Sequence, residues 1–315
     1  MRILVVSDGR RGIENQALGL AEAVAGQSAT ACEILTHRLT PRSAFAALPP
    51  SLQLIGRRDF GLPRADLVIG CGRQAIAPLI AMRRSGSAFT CYVQDPRLDP
   101  SRFDLVVAPT HDGLSGPNVV SMIGSPNRVS RDRIVTDLLR LSDRINRLPA
   151  PRAMLAIGGP SRTHAISDAD AAFHLNAARQ LLDEGHSLLV TTSRRTPDVV
   201  QSQWEELAAQ AGAIWLHTPD SDDDNPYFAF LGAADLILVT EDSTNMLTES
   251  CATGKPVYRL PMSGQPGKFQ QLYDALEQRC GLKRWDGTQR TAPYDPLNET
   301  ARVAKIIWDR LPSRR

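Results

Sequence analysis

Long apolar runs are missing from this chain. No stretch approaches the roughly 18 consecutive apolar residues that a membrane-spanning helix requires, and Met1-Arg2-Ile3-Leu4-Val5-Val6 has an apolar core too short for a secretory signal. That opening reads as a first strand. No Arg-rich, acid-free leader suggests organelle import, so the expected location is the cytoplasm, with peripheral membrane contact left open. Cysteine is sparse and unpatterned. Cys32, Cys71, Cys91, Cys251 and Cys280 are odd in number and show no C-x-x-C spacing, which speaks against a disulfide framework and a zinc site. No charge sign dominates either: 36 Lys and Arg stand against 34 Asp and Glu, a net +2 that gives no reason to expect nucleic acid as a partner. H-E-x-x-H, the P-loop and G-x-S-x-G do not occur, which argues against zinc proteases, P-loop NTPases and α/β-hydrolases.

What is present is a repeated strand-turn-helix grammar. At 315 residues, 42% apolar and 22% charged, the chain has the composition of a soluble globular protein of about two domains. Short apolar runs read as strands at residues 3–6, 67–69, 89–93 and 105–107, and again at 154–157, 187–191, 214–216, 236–239 and 256–260. Helical patterns intervene at 15–24, 74–84, 168–184, 198–211 and 245–253, and an amphipathic one closes the chain at 299–311. Arg147-Leu148-Pro149-Ala150-Pro151-Arg152 cannot continue a helix and is the expected boundary, giving domains 1–150 and 151–298. The fold class expected is α/β: two doubly wound, parallel-sheet, Rossmann-like domains facing a cleft.

In such sheets ligands bind outside the carboxyl ends of the strands. The turn after the first strand, Ser7-Asp8-Gly9-Arg10-Arg11-Gly12, brings two glycines and two arginines together with Glu14, Asn15 and Gln16. It lacks G-x-G-x-x-G spacing, which disfavours NAD. Arg73 and Gln74 follow another Gly-rich turn; Asp95 and Arg97 follow the third strand, and His111 the fourth. Asp8, Glu14, Asp95 and His111 are the proton-transfer candidates, and Arg10, Arg11, Asn15, Gln16, Arg73, Gln74 and Arg97 the acceptor-side contacts. In the second half, Ser161, Arg162 and Thr163 follow Gly158-Gly159, and Arg194 and Arg195 follow the next strand; both turns suit an anion. Asp220-Ser221-Asp222-Asp223-Asp224-Asn225 lacks the Gly and terminal Glu of an EF-hand and reads as a solvated acidic loop, so no metal is expected.

Ser243, Thr244 and Glu249, followed by Gly254-Lys255-Pro256, resemble the donor-binding segment of GT-B glycosyltransferases, in which a Glu on this helix holds the nucleotide ribose. Gly267-Lys268-Phe269-Gln270-Gln271 is similar to their downstream polar segment, where Gln side chains meet the sugar, and backbone near Tyr227 matches the place where the base is met. A resemblance over nearly the whole chain is carried by Ser7 to Gln16, Gly70-Cys71-Gly72-Arg73-Gln74, Gln94-Asp95-Pro96-Arg97 and Ala108-Pro109-Thr110-His111-Asp112. It is to the plant mitochondrial-fission factor (elongated-mitochondria) family and its bacterial relatives, which have GT-B character. The resemblance implies that helix 299–315 crosses back onto the first domain. Among the GT-B enzymes it resembles is the nucleotide-sugar transferase that completes the peptidoglycan lipid precursor, from which this chain departs at Ile13, where that enzyme's comparable loop carries a His proposed as base.

The expected function is therefore binding of a nucleotide-diphosphate sugar, as substrate and without a cofactor or metal, and transfer of its sugar to an acceptor. The donor-side contacts are Ser161, Arg162, Thr163, Arg194, Arg195, Tyr227, Ser243, Thr244, Glu249, Lys268, Gln270 and Gln271. Two alternatives stand beside it: a nucleotide-sugar epimerase, and a non-catalytic, fission-factor-like adaptor.

Overall fold

The structure, a computed structural model, describes residues 1–39, 60–221, 224–288, 292 and 294–312. They fall into two compact units, Met1–Arg128 with Asn298–Arg315, and Val129–Leu297.

The first unit runs β1 (Arg2–Ser7), α1 (Arg11–Ala25), β2 (Glu33–Arg38), β3 (Leu67–Cys71), α2 (Ile76–Ser85), β4 (Phe89–Val93), β5 (Leu105–Pro109) and β6 (Val119–Met122). Its sheet has the order β2-β1-β3-β4-β5-β6, every pair parallel. A parallel sheet covered on both faces needs strands that are apolar throughout, and Ile3-Leu4-Val5-Val6 is fully buried. Alternation then sorts the side chains: Ile3 and Val5 enter the core beneath α1, Leu4 and Val6 the core beneath α2. Strand order reverses at β1, which pairs with β2 on one side and β3 on the other, so the β1 turn lies at a topological switch point.

Gly19 lets α1 approach the chain that follows β6. A Cβ there would sit 2.2 Å from the Asn127 carbonyl oxygen, a backbone atom that cannot rotate aside. Gly19→Ala is expected to cost about 1–3 kcal/mol, read as a lower midpoint of thermal unfolding; an unchanged midpoint would mean that this contact is loose.

The second unit runs α3 (Arg131–Arg140), α4 (Ser142–Ile145), β7 (Arg152–Ile157), β8 (His164–Ala165), α5 (Asp168–Asp183), β9 (Ser187–Thr192), α6 (Asp198–Gln210), β10 (Ile214–His217), α7 (Tyr227–Ala233), β11 (Leu236–Thr240), α8 (Thr244–Cys251), β12 (Val257–Leu260), β13 (Ser263–Gly264), α9 (Phe269–Cys280) and β14 (Lys283–Arg284). Its main sheet is again six-stranded and parallel, in the order β10-β9-β7-β11-β12-β14. The Pro-flanked segment 147–152 lies inside this unit and not at its border. The chain joins the unit earlier because Arg133 stacks on Phe228 at 4.5 Å and Arg144 on Trp215 at 4.0 Å.

The last helix, α10 (Glu299–Arg310), belongs to the first unit. Val303, Ala304 and Ile307 are fully buried in the core under α1. Its first turn is pinned as well: Glu299 accepts from the Ile123 N–H at 2.9 Å and Thr300 from the Asn127 N–H at 3.1 Å. Among the described residues no helix is long and apolar enough to cross a membrane.

Candidate functional site

In the second unit, the turns that leave β7, β9 and β11 are tied into one assembly at the carboxyl ends of the strands. Asp242, its side chain fully buried, is the tie. Its carboxylate accepts from the Gly159 N–H at 3.2 Å, from Thr240 Oγ1 at 2.7 Å and from Arg195 Nη2 at 2.6 Å. Arg195 also donates to the carbonyls of Gly159 (2.9 Å) and Pro160 (3.1 Å). Thr196 Oγ1 donates to the Gly158 carbonyl at 2.6 Å, and Thr240 Oγ1 accepts from the Gly158 N–H at 2.7 Å. The glycines are required by closeness: a Cβ on Gly158 would meet the Asp242 carboxylate at 2.2 Å, and one on Gly159 the Arg195 carbonyl oxygen at 2.0 Å.

The expected donor-side residues are distributed around this assembly. Arg195 serves as its brace, spending its terminal nitrogens on Asp242 and two carbonyls, whereas Arg162 and Arg194 stay exposed. Ser161 and Thr163 build the loop itself: Ser161 Oγ accepts from the Thr163 N–H at 3.2 Å and the His164 N–H at 3.1 Å. That loop is stitched to the downstream polar segment, where β13 pairs with β8 and the Gln265 N–H donates to Thr163 O at 3.1 Å. Lys268 precedes α9, and Gln270 and Gln271 are exposed in its first turn, with Gln270 donating to Asp274 at 2.7 Å. Ser243 caps α8, its Oγ accepting from the Met246 N–H at 3.4 Å, and Thr244 is the first residue of that helix. Asp222 and Asp223 of the acidic loop lie outside the described residues.

Glu249, on α8, faces α7. Its Oε2 accepts a 2.7 Å hydrogen bond from the Tyr227 hydroxyl, and the residue is half-buried. Tyr227 is oriented from below, since its own N–H is capped by Asn225 Oδ1 at 2.9 Å. Burial pushes Glu249 up to about 7, against the opposing pull of the Tyr227 hydrogen bond. Burial, together with the neighbouring carboxylate, likewise raises Tyr227 well above the ordinary tyrosine value and keeps its hydroxyl a donor. Because the folded chain holds the Glu249 proton more tightly than an unfolded one, where 4.5 is the ordinary value, this group favours the fold below about 4.5. That contribution is lost as pH rises toward about 7.

In the first unit, the turns after β1, β3 and β4 meet at the switch point. Glu14 is buried and accepts from Ser7 Oγ at 2.8 Å and from Arg38 at 2.8 and 2.7 Å; the Arg38 pair holds its carboxylate below the usual range. Expected as a proton-transfer candidate, it is instead a clamp between α1, β1 and β2, and a carboxylate with three protein donors and lowered proton affinity is a poor base. Asp8 is paired with Arg10 at 2.6 Å and Asp95 with Arg97 at 2.9 Å. His111 is buried, with its Nε2 3.9 Å from Asp112. Gln16 is buried and accepts from Gln94 Nε2 at 3.0 Å and from the Cys71 thiol at 3.7 Å. Burial raises that thiol and keeps it protonated. Arg11, Asn15 and Arg73 are exposed and Gln74 is half-buried.

Two participants escape a reading of the sequence. Asp242 is one polar residue among five in the turn 240–244, with no spacing to single it out. Gln94 is marked only by its backbone, which takes a φ of +86°.

The sequence matches the mitochondrial fission ELM1 family over residues 11–311. Mitochondrial fission protein ELM1 of Arabidopsis thaliana is 28% identical over an alignment of length 279 that covers 79% of this chain and 64% of that protein. A Rickettsia prowazekii protein described as uncharacterized is 23% identical over 98% of both chains. Among solved structures, the UDP-GlcNAc 2-epimerase of Neisseria meningitidis bound to UDP-GlcNAc superposes with a TM-score of 0.57 at 13% identity, over 98% of this chain and 99% of that one. MurG of Acinetobacter baumannii does so with a TM-score of 0.53 at 13% identity, over the same shares of 98% and 99%. At these identities the likeness is one of fold, and the fold is GT-B-like: two parallel α/β sheets of six strands each.

Proposed function

The chain belongs to the mitochondrial fission ELM1 family, and from that premise we propose that it binds a nucleoside-diphosphate sugar on its second unit and transfers the sugar to an acceptor held by loops of the first. The observation that carries the reading is Glu249: a half-buried carboxyl on the helix after β11, fixed by Tyr227 at 2.7 Å. Such a group suits the two vicinal hydroxyls of a ribose, which need an acceptor held in place. Ser243 and the N-terminus of α8 supply donors for a diphosphate, and the exposed Arg162 and Arg194 supply charge for the leaving group. Asp8, Asp95 and His111 remain the candidates for the base. The solved neighbour bound to UDP-GlcNAc supports a uridine nucleotide as the first ligand to try.

The test is calorimetric titration of the purified chain with UDP, GDP, ADP and CMP and their common sugar conjugates. Specific binding of one conjugate supports the reading. Conversion of that conjugate to its epimer without an acceptor would redirect the chemistry to epimerisation. Absence of binding by folded protein would favour a non-catalytic role, in keeping with the name of the Arabidopsis relative.

The site also predicts a pH dependence. Hydroxyl donors want the carboxylate, so affinity should rise by about tenfold between pH 6 and pH 8 as a group with a value of about 7 ionises. The same rise in pH removes the contribution of Glu249 to stability, so binding and folding respond with opposite sign. Titrations at both pH values check this, and a flat profile would remove Glu249 from the ribose.

A further inference from the structure

Gln94 follows β4 with a φ of +86°, and it shares with Arg97 (+55°) the distinction of a positive φ without being glycine, among the described residues. Arg97 has a local cause, since its N–H closes a turn on Asp95 Oδ1 at 2.8 Å. Gln94 has none of this kind: its N–H simply continues the sheet ladder to Val107 O at 2.8 Å. A strained non-glycine backbone persists where the surroundings impose it, and such positions concentrate at ligand sites.

The side chain shows what the strain achieves. Gln16 Oε1 accepts from the Cys71 thiol at 3.7 Å and from Gln94 Nε2 at 3.0 Å. In this arrangement Gln16 turns its oxygen toward both, so Gln94 spends its nitrogen on Gln16 and keeps its Oε1 for another partner. No described residue donates to that Oε1. In the flanking turns Arg10 pairs with Asp8 at 2.6 Å and Arg97 with Asp95 at 2.9 Å. A carbonyl acceptor suits an O–H donor and has no proton to give an anion.

We infer that Gln94 is a binding residue for a neutral, polyhydroxylated ligand of the sugar class, which its carbonyl oxygen receives at the carboxyl edge of the first unit's sheet. Only the ligand's role as acceptor rests on the glycosyl-transfer reading above; its binding does not.

The experiment compares wild type with Gln94→Gly in thermal melting and calorimetric titration against glucose, N-acetylglucosamine, galactose and mannose, with glucose 6-phosphate and glucuronate as anionic counterparts. Glycine adopts this φ without strain, so the variant should melt at or above wild type while losing at least tenfold in affinity for the neutral sugar that wild type binds. Its UDP affinity, which rests on Glu249, should be unchanged, so that loss of the nucleotide reading and loss of this one are told apart. Gln94→Asn, which keeps an amide, tolerates the φ and is shorter, should lose the sugar in the same way and decides the matter if the glycine variant unfolds. Failure of every neutral sugar to bind wild type, binding of the anionic compounds alone, or sugar affinity equal in wild type and variants would each overturn the inference.

Discussion

Glu249→Gln is expected to weaken nucleoside-diphosphate binding by about 10- to 100-fold at pH 8, while the protein melts close to wild type. The magnitude follows from what is removed. A hydrogen bond to a charged acceptor contributes about 1.5–3 kcal/mol, and each 1.4 kcal/mol is a factor of about ten in affinity. Oε2 is already taken by the Tyr227 hydroxyl, so Oε1 and the second lone pair of Oε2 are what a ribose can use. Glutamine keeps the shape and one oxygen, which can still receive Tyr227, but it turns an NH2 toward the hydroxyls in place of an acceptor. It also abolishes the pH dependence, which a merely supporting residue would leave intact. Calorimetry with UDP, paired with a melting curve, reads both parts; equal affinity in the variant would move the ribose site elsewhere on the second unit.

Gly159→Ala should remove about 3 kcal/mol from the second unit. The added carbon would lie 2.0 Å from the Arg195 carbonyl oxygen and 2.2 Å from its carbon, so relief requires moving backbone. That backbone cannot move alone. Arg195 is bonded to Asp242 and to the Gly159 and Pro160 carbonyls, and Thr196 Oγ1 to the Gly158 carbonyl. Displacing one turn therefore pulls on all three. Gly212→Ala is the control: a Cβ there meets nothing within 4 Å, and its φ is not positive. Its unfolding midpoint should stay at or slightly above that of wild type. If both variants melt with wild type, the three turns are not held as one body.

Much of the fold could be read from the sequence because burial on two faces leaves an unbroken signature. Ile3 to Val6, Leu67 to Ile69, Leu188 to Val190 and Leu236 to Val239 are apolar at every position, and each is a central strand. The edge strands of the first sheet do not announce themselves. β2 is Glu-Ile-Leu-Thr-His-Arg, half-exposed along most of its length, and β6 is only four residues, so neither forms part of the sequence expectation. Helix α3 has no buried residue, and the prolines after it, which cannot continue a helix, are the plainer break in the sequence. The site divides the same way. Turns after strands and a carboxylate on the following helix are matters of spacing and can be read directly. The brace built on Asp242 and the inverted dihedral of Gln94 are matters of three-dimensional approach, to which residue type gives no clue.

Because α10 completes a core begun by α1, the order of synthesis and the order of completion are reversed for the first unit. Ala17, Leu20, Ala21 and Val24 leave the ribosome early and wait, while the whole of the second unit is translated, for Val303, Ala304 and Ile307 to cover them. During that interval the second unit can fold to completion on its own contacts, whereas the nascent first unit carries an uncovered apolar strip. It is there, and not at the candidate site, that a chaperone would find its client.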